Sequence, residues 1–252
     1  MKEFAIIGYP LTHSFSPTYF NEKFKKLNLY DHFYNKYPLS NIEDLPLLIK
    51  TNKNLIGLNV TIPYKEQVIK YLDTLDQTAH QIGAVNTIKI IRNNDNVFLK
   101  GFNTDAYGFL NSFKPLLKEY HKKALILGTG GASKAIAYVL KTLNIEYLFV
   151  SRSPKTNNQI SYEDLRNNNI LSDYLIIINC TPIGMYPEVQ AKPDIPYDNI
   201  TKYHYLYDLI YNPEITLFLS EGKKRNAIIK NGLEMLYLQA ERAWEIWNDN
   251  NL

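Results

Sequence analysis

Apolar and polar positions along this chain follow two rhythms, one with a period of two and one near 3.6, and the rhythm switches repeatedly. Residues 4–8 form a short apolar run that ends at glycine, a strand. Ser16 followed by Pro17 has the form of a helix start, with serine as N-cap and proline at the first helical position. Tyr19, Phe20, Phe24 and Leu27 then recur at helical spacing. Residues 34–38 predict a second strand and 41–50 a helix with Pro46 near its first turn. Residues 55–62 alternate like a strand that Pro63 ends, 65–72 read as a helix, and 86–91 with 97–102 read as a hairpin around the polar turn 93–96.

A second series begins near Lys123. Residues 124–127 are a strand, GTGGAS is a tight turn and 134–143 are a helix. Strands follow at 147–150, 175–179, 205–209 and 227–229, with a helix at 217–224. Residues 233–247 close the chain as an amphipathic helix, with Leu236, Ala240, Ala243 and Trp247 on one side. Alternating strands and helices predict an α/β protein. No fixed-period repeat interrupts the pattern, and the asparagine-rich stretches 93–96 and 167–169 read as solvated loops.

One segment breaks the expected rhythm. After the strand at 147–150, a doubly wound sheet needs a crossover helix and another strand. Pro154, Asn157 and Asn158 oppose a helix there. The expectation is a missing or shortened crossover helix, a minimal strand at 159–161 and a helix at 162–165.

Composition adds limits. The 252 residues suffice for one or two domains with a real core. Lysine plus arginine is 28 against 25 acidic residues, a near balance that argues against a nucleic-acid or membrane-surface binder. The single Cys180 excludes an intramolecular disulfide and suits a reducing cytoplasm. The five histidines show no metal-ligand spacing, so no metal site is expected; His13 is expected to orient or pack its loop. The start lacks a signal-peptide pattern, and no apolar run is long enough to span a membrane.

The strongest local chemistry is ALILGTGGASKAIAYVL, residues 124–140. A buried strand runs into Gly128, Thr129, Gly130, Gly131 and Ala132, and a helix follows at once. Glycines let backbone approach a pyrophosphate, and the helix start offers free N–H groups. The spacing departs from G-x-G-x-x-G, so a plain glycine turn is the competing reading. The next strand ends at Ser151-Arg152-Ser153, where an NAD site would place a carboxylate to accept from the ribose 2′-OH. Arg152 and Lys155, with Ser151 and Ser153, suit a 2′-phosphate instead, which points to NADP(H); the competing reading is an arginine on a solvated loop.

In the first half, polar residues gather at strand ends. They are Ser14 and Ser16, then Asn59, Thr61 and Lys65, then Asn86 and Thr87, then Asn103, Thr104 and Asp105. Ligands of α/β sheets collect at such ends, and these groups suit a small, hydroxylated, anionic ligand. Singly, each is as readily a cap or a turn, with Ser16 and Asp105 as N-cap candidates.

HSFSP (13–17), NVTIPYK (59–65), GAVNT (83–87), GFNTD (101–105), GTGGAS (128–133), NCTPIGM (179–185) and DLIYNP (208–213), with NGLEML and Gln239-Ala240 near the end, occur in an order that resembles the shikimate dehydrogenase family. The resemblance spans nearly the whole chain. It implies two domains: an α/β substrate domain with a mixed sheet over 1–105, completed by 232–252, and a Rossmann-like doubly wound NADP-binding domain over 106–231. It implies reversible NADPH-dependent reduction of 3-dehydroshikimate to shikimate, in a cytoplasmic monomer or homodimer.

By motif position, Ser14, Ser16 and Tyr211 fall where the family holds the substrate carboxylate. Asn59, Thr61, Asn86 and Gln239 fall among its hydroxyl-binding positions, and Lys65 and Asp105 match its catalytic pair. Residues 128–132 match its pyrophosphate loop and 151–155 its 2′-phosphate loop; Thr181, Leu209 and Gly232 fall on the cofactor side. Gln77 stands where many relatives carry an acid. Rival readings are a dehydrogenase that also takes quinate or NAD, a methylene-tetrahydrofolate dehydrogenase, against which HSFSP and GFNTD speak, and a non-catalytic NADP-binding regulator, which predicts loss of Lys65 or Asp105. Cys180 ends an apolar strand with no histidine near it in sequence, and reads as an inert thiol.

Overall fold

A computed structural model describes residues 1–11, 14–93 and 96–249. His13 and the middle of the 93–96 turn lie outside the described residues. The chain divides into two compact units: residues 1–104 with the chain from Ala240 onward, and Asp105–Gln239. Each holds its own six-stranded sheet.

The first unit comprises β1 (Lys2–Gly8), α1 (Phe15–Lys26), β2 (His32–Pro38), α2 (Leu45–Thr51), β3 (Leu55–Val60), β4 (Thr74–Leu75), α3 (Gln77–Ile82), β5 (Thr87–Asn93) and β6 (Asn96–Phe102). The strand order is β2-β1-β3-β5-β6-β4, with β5 antiparallel to both its neighbours, so the sheet is mixed. Alternation along β1 separates two cores. Phe4 and Ile6 pack with Phe20, Phe24, Tyr34 and Trp247, whereas Ala5 and Ile7 pack with Leu45, Ile49, Leu58, Val60 and Ile88. Gly57 admits the Trp247 indole, which would stand 2.6 Å from a Cβ there. Lys89, almost fully buried, donates to the carbonyls of Ile246 and Asp249 and so satisfies the C-terminal end of the last helix.

Two sequence expectations fail here for tertiary reasons. Residues 65–72 are not an α-helix; a 3₁₀ turn spans Gln67–Tyr71. The Lys65 carbonyl accepts from the Val85 N–H at 2.7 Å, so it is engaged outside any helical ladder. Ser16 is not an N-cap either. The helix starts at Phe15, Ser14 stands at the cap position without a side-chain capping bond, and Ser16 is buried in the first turn. The 41–50 helix is divided into a 3₁₀ turn, Ile42–Asp44, and α2.

α4 (Thr104–Phe113) leads into the second unit, so Asp105 lies in a first helical turn and is not its cap. β7 (Lys123–Leu127), α5 (Gly131–Thr142), β8 (Glu146–Ser151), β9 (Gln159–Ser161), α6 (Tyr162–Asn167), β10 (Ile176–Asn179), β11 (Tyr205–Asp208), α7 (Leu217–Lys224), β12 (Ile228–Lys230) and α8 (Leu233–Asn248) follow. All strand pairs are parallel, in the order β12-β11-β10-β7-β8-β9. This is the doubly wound order of dinucleotide-binding sheets, with its switch point between β7 and β10. α1, α5 and α7 stop alike: Asn28, Asn144 and Asn226 take left-handed φ near +57°, and the next N–H returns to Phe24, Leu140 and Gly222.

The link from β8 to β9 is residues 152–158 and holds no helix. Gln159 Oε1 accepts from the Lys155 N–H at 2.9 Å, and Thr156 Oγ1 donates to Asn158 Oδ1 at 2.6 Å. The expected minimal strand and the helix after it are both present, the latter opened by a capping box between Ser161 and Asp164.

Candidate active site

In the first unit, the polar residues singled out above converge on one end of the sheet. β1, β3 and β6 run parallel and β5 runs against them, so Ser14 and Ser16 after β1, Thr61 and Lys65 after β3, Asn86 before β5 and Asn103 after β6 share that end. Asn59 is buried; its Oδ1 accepts from the Tyr34 hydroxyl at 2.6 Å, and its Nδ2 donates to the Asn86 carbonyl and Thr87 Oγ1 at 3.3 Å each. Asn86 Oδ1 accepts from the Thr104 N–H at 2.7 Å and its Nδ2 donates to Thr104 Oγ1 at 2.9 Å. Burial drives the pKa of the Tyr34 phenol well above its ordinary value.

Tyr34, Asn59, Asn86, Thr87 and Thr104 are therefore members of one buried network, and Ser16 is buried in the first turn of α1. Thr61 donates its N–H to the Ile7 carbonyl at 2.9 Å, and its methyl lies where a Cβ on Gly8 would go, 2.4 Å away. Lys65 is half-buried, fixed through its own carbonyl. Tyr34 was legible only as a strand residue; nothing in the local pattern marks its hydroxyl.

In the second unit, Gly128 leaves the end of β7 with φ +100°, a conformation that favours glycine. A Cβ there would meet the Thr181 methyl at 3.1 Å, so the glycine turn and Thr181 face each other across the switch point. Thr129 bridges to Gly130, which occupies the N-cap of α5; a Cβ on Gly130 would meet nothing within 4 Å. Gly131, Ala132 and Ser133 form the first turn of α5, with no acidic residue in it. An open backbone cradle at the positive end of a twelve-residue helix fits a pyrophosphate.

β8 pairs with β7, and the Gly128 N–H donates to the Val150 carbonyl at 2.9 Å, which sets Ser151 beside this turn. Ser151 Oγ accepts from the Ser153 N–H, and Arg152, Ser153 and Lys155 are exposed in the helix-free link. Two cations and two hydroxyls on accessible backbone fit a 2′-phosphate.

A second buried network shapes the loops after β10 and β11. Asp208 is fully buried, accepting from Thr216 Oγ1 at 2.6 Å, Asn179 Nδ2 at 3.0 Å and the Ile210 N–H at 3.1 Å. Burial raises its pKa to about 6 despite these donors. Asn179 Oδ1 in turn accepts from the N–H and hydroxyl of Thr181. Leu209 lies against Gly232, whose N–H donates to the Ile210 carbonyl at 3.1 Å. Tyr211 is half-buried in the same loop, and burial raises its pKa. Gln239, on α8, is nearly buried and packs over Gly108 of α4, where a Cβ would stand 2.5 Å from the Met235 carbonyl oxygen. The Cys180 thiol is pushed upward by burial, so thiolate chemistry is disfavoured. The sequence motifs contain Asp208 and Asn179, but their pairing appears only in the β10–β11 register, which places the two opposite each other.

Comparison with known proteins extends this geometry. Residues 6–88 match a family model described as the shikimate dehydrogenase substrate binding domain. Shikimate dehydrogenase (NADP(+)) of Methanosphaera stadtmanae is 40% identical over 260 residues, covering 96% of this chain and 90% of that protein. The chain belongs to the shikimate dehydrogenase family.

Among solved members of the family, shikimate dehydrogenase 1 from Peptoclostridium difficile superposes with a TM-score of 0.84 at 38% identity, covering all of this chain and 94% of that one. Shikimate 5-dehydrogenase from Thermus thermophilus, solved with NADP(H) and shikimate, gives 0.83 at 30% identity over 98% and 94%. Among the described residues no cluster of histidine, cysteine and acidic groups could hold a metal ion, and no helix is long and apolar enough to cross a membrane.

Proposed function

We propose that this chain catalyses the reversible NADPH-dependent reduction of 3-dehydroshikimate to shikimate, with Lys65 as general acid/base and Asp105 as its partner. The observation that carries the reading is the nearly full-length match to NADP(+)-dependent shikimate dehydrogenases, supported by the cradle formed by Gly128, Gly130 and α5 at the switch point. The substrate domain is residues 1–105 with 232–252, and the NADP domain is 106–231.

Bound NADPH supplies the hydride to the carbonyl carbon. Lys65, as an ammonium, gives its proton to the carbonyl oxygen and becomes the free amine; in the oxidative direction the amine takes the hydroxyl proton back. Asp105 holds that head group in position. Ser14, Ser16 and Tyr211 donate to the substrate carboxylate, and Asn59, Thr61, Asn86 and Gln239 read its hydroxyls. Gly128, Thr129, Gly130, Gly131 and Ala132 receive the pyrophosphate. Ser151, Arg152, Ser153 and Lys155 receive the 2′-phosphate. Thr181, Leu209 and Gly232 border the nicotinamide end. The soluble cofactor and the lone thiol support a cytoplasmic setting, and the expected form is a monomer or homodimer.

The test is a rate assay with shikimate and NADP⁺, read by the near-ultraviolet absorbance of NADPH, beside quinate and NAD⁺ arms. Turnover with shikimate and NADP⁺ that exceeds the other three pairings supports the proposal. A protein that binds NADP⁺ yet shows no turnover with any pairing would be a regulator, and the proposal would fail.

A further inference from the structure

Asp208 is fully buried, and the proposed chemistry does not use it. Its Oδ1 accepts from Asn179 Nδ2 and the Ile210 N–H, and its Oδ2 from Thr216 Oγ1. All three donors are uncharged, and among the described residues no cationic side chain bonds it. An asparagine would satisfy the same geometry. Its oxygen would keep the two Oδ1 bonds, and its amide nitrogen would face the Thr216 oxygen, which can accept. The hydrogen bonds do not call for a charge, and burying one without a counter-ion costs stability. Three segments hang from this carboxylate. Through Asn179 it holds Thr181, whose N–H and hydroxyl both donate to Asn179 Oδ1. The adjacent Leu209 donates its N–H to the Asn179 carbonyl at 3.0 Å. Ile210, fixed by its bond to Asp208, accepts from the Gly232 N–H at 3.1 Å.

We propose that Asp208 is the electrostatic counterpart of the oxidised nicotinamide ring: its buried negative charge, held behind Thr181, Leu209 and Gly232, makes the chain bind NADP⁺ more tightly relative to NADPH than an uncharged residue would. The proposal rests on the placement of those three residues at the nicotinamide end. The ring carries one positive charge in NADP⁺ and none in NADPH, whereas the pyrophosphate and 2′-phosphate are the same in both. A fixed charge beside the ring acts on the difference between the two forms, and burial keeps it from being screened by salt. Attraction to the oxidised ring offsets the cost of keeping the carboxylate buried.

Calorimetric titration at about pH 8, where the Asp208 carboxyl is ionised, gives the Kd of NADP⁺ and of NADPH for the parent and for Asp208→Asn. The variant should raise the ratio of the NADP⁺ Kd to the NADPH Kd by about tenfold, with the NADPH Kd within about threefold of the parent. That is the scale of a unit charge acting across about 10 Å at an effective dielectric constant of about 20. The fragment 2′,5′-ADP has no nicotinamide and should bind both proteins alike. Thr216→Val removes one bond to the carboxylate but not its charge, and should leave the ratio within about twofold. Asn179→Asp combined with Asp208→Asn returns one charge to the pair, and should bring the ratio back to within about threefold of the parent. A ratio that Asp208→Asn leaves unchanged, or that Thr216→Val shifts equally, would make Asp208 a structural residue and overturn the inference. If the parent binds neither dinucleotide, the proposed function fails and this inference falls with it; if it binds both and only the ratio stays fixed, this inference alone is lost.

Discussion

Gly232 and Leu209 meet backbone to backbone: a Cβ at 232 would stand 2.1 Å from the Leu209 carbonyl oxygen and 2.6 Å from its carbonyl carbon. The obstacle is main chain, which cannot rotate away as a side chain would. Gly232→Ala therefore forces the segment before α8 away from the loop after β11. The expected cost is about 3 kcal/mol, at the upper end for overpacking, with a fall in Tm of roughly 6–12 °C. A thermal scan checks the stability, and the KM for NADP⁺ should rise with it. A variant as stable as the parent would show that the two loops separate freely.

Lys65 and Asp105 carry the proposed proton transfer. Lys65→Met should lower kcat by about 10²–10⁴, the usual range for losing a general acid/base, while the KM for shikimate stays within about tenfold. Asp105→Asn should lose less, since it keeps the shape and removes the charge. Steady-state kinetics in both directions measure this, and parental turnover by Lys65→Met would remove the lysine from the mechanism.

Arg152 and Lys155 stand on the link after β8, both exposed. Replacing both by alanine should raise the KM for NADP⁺ by about 10–100-fold, the scale of losing two charge-assisted contacts to a phosphate, and leave the weaker NAD⁺ reaction nearly unchanged. An equal loss with both cofactors would place the 2′-phosphate elsewhere.

Asp208 predicts a pH dependence of folding. Its carboxyl is raised from an ordinary 3.8 to about 6, so the folded state holds the proton more tightly than the unfolded one. Its contribution is most favourable below about pH 4, falls as pH rises through about 4 to 6, and is level above, a total of about 3 kcal/mol. Asp208→Asn should flatten that slope in chemical denaturation measured between about pH 4 and 7. An unchanged slope would assign the dependence to other groups.

The parts of the fold legible in the sequence were those that local chemistry decides. The strand–glycine–helix run at 124–140 marked the switch point, and Pro154, Asn157 and Asn158 marked the helix-free link. What escaped was decided by contacts distant in sequence. Val85 takes the Lys65 carbonyl and turns an expected helix into a 3₁₀ turn, and Ser16 lies buried inside the first turn of α1, which begins at Phe15. β4 has two residues and α3 six, too few for a period to register. For the site, motif order supplied the residue set, but Tyr34 and the Asn179–Asp208 pair acquire their partners only when strands come into register.

The bare link between β8 and β9 changes how one margin of the second sheet resists opening. Leu148 and Val150 point into a core, so Tyr147 and Phe149 point to the opposite face, where the β8–β9 link adds no helix of its own and both remain half-buried. β9 is three residues long and outermost. With so little apolar cover, unzipping should start there and move inward, so the amides of Gln159–Ser161 exchange with deuterium before those of β7 and β10. A dinucleotide laid along that margin would act as a splint, slowing their exchange most.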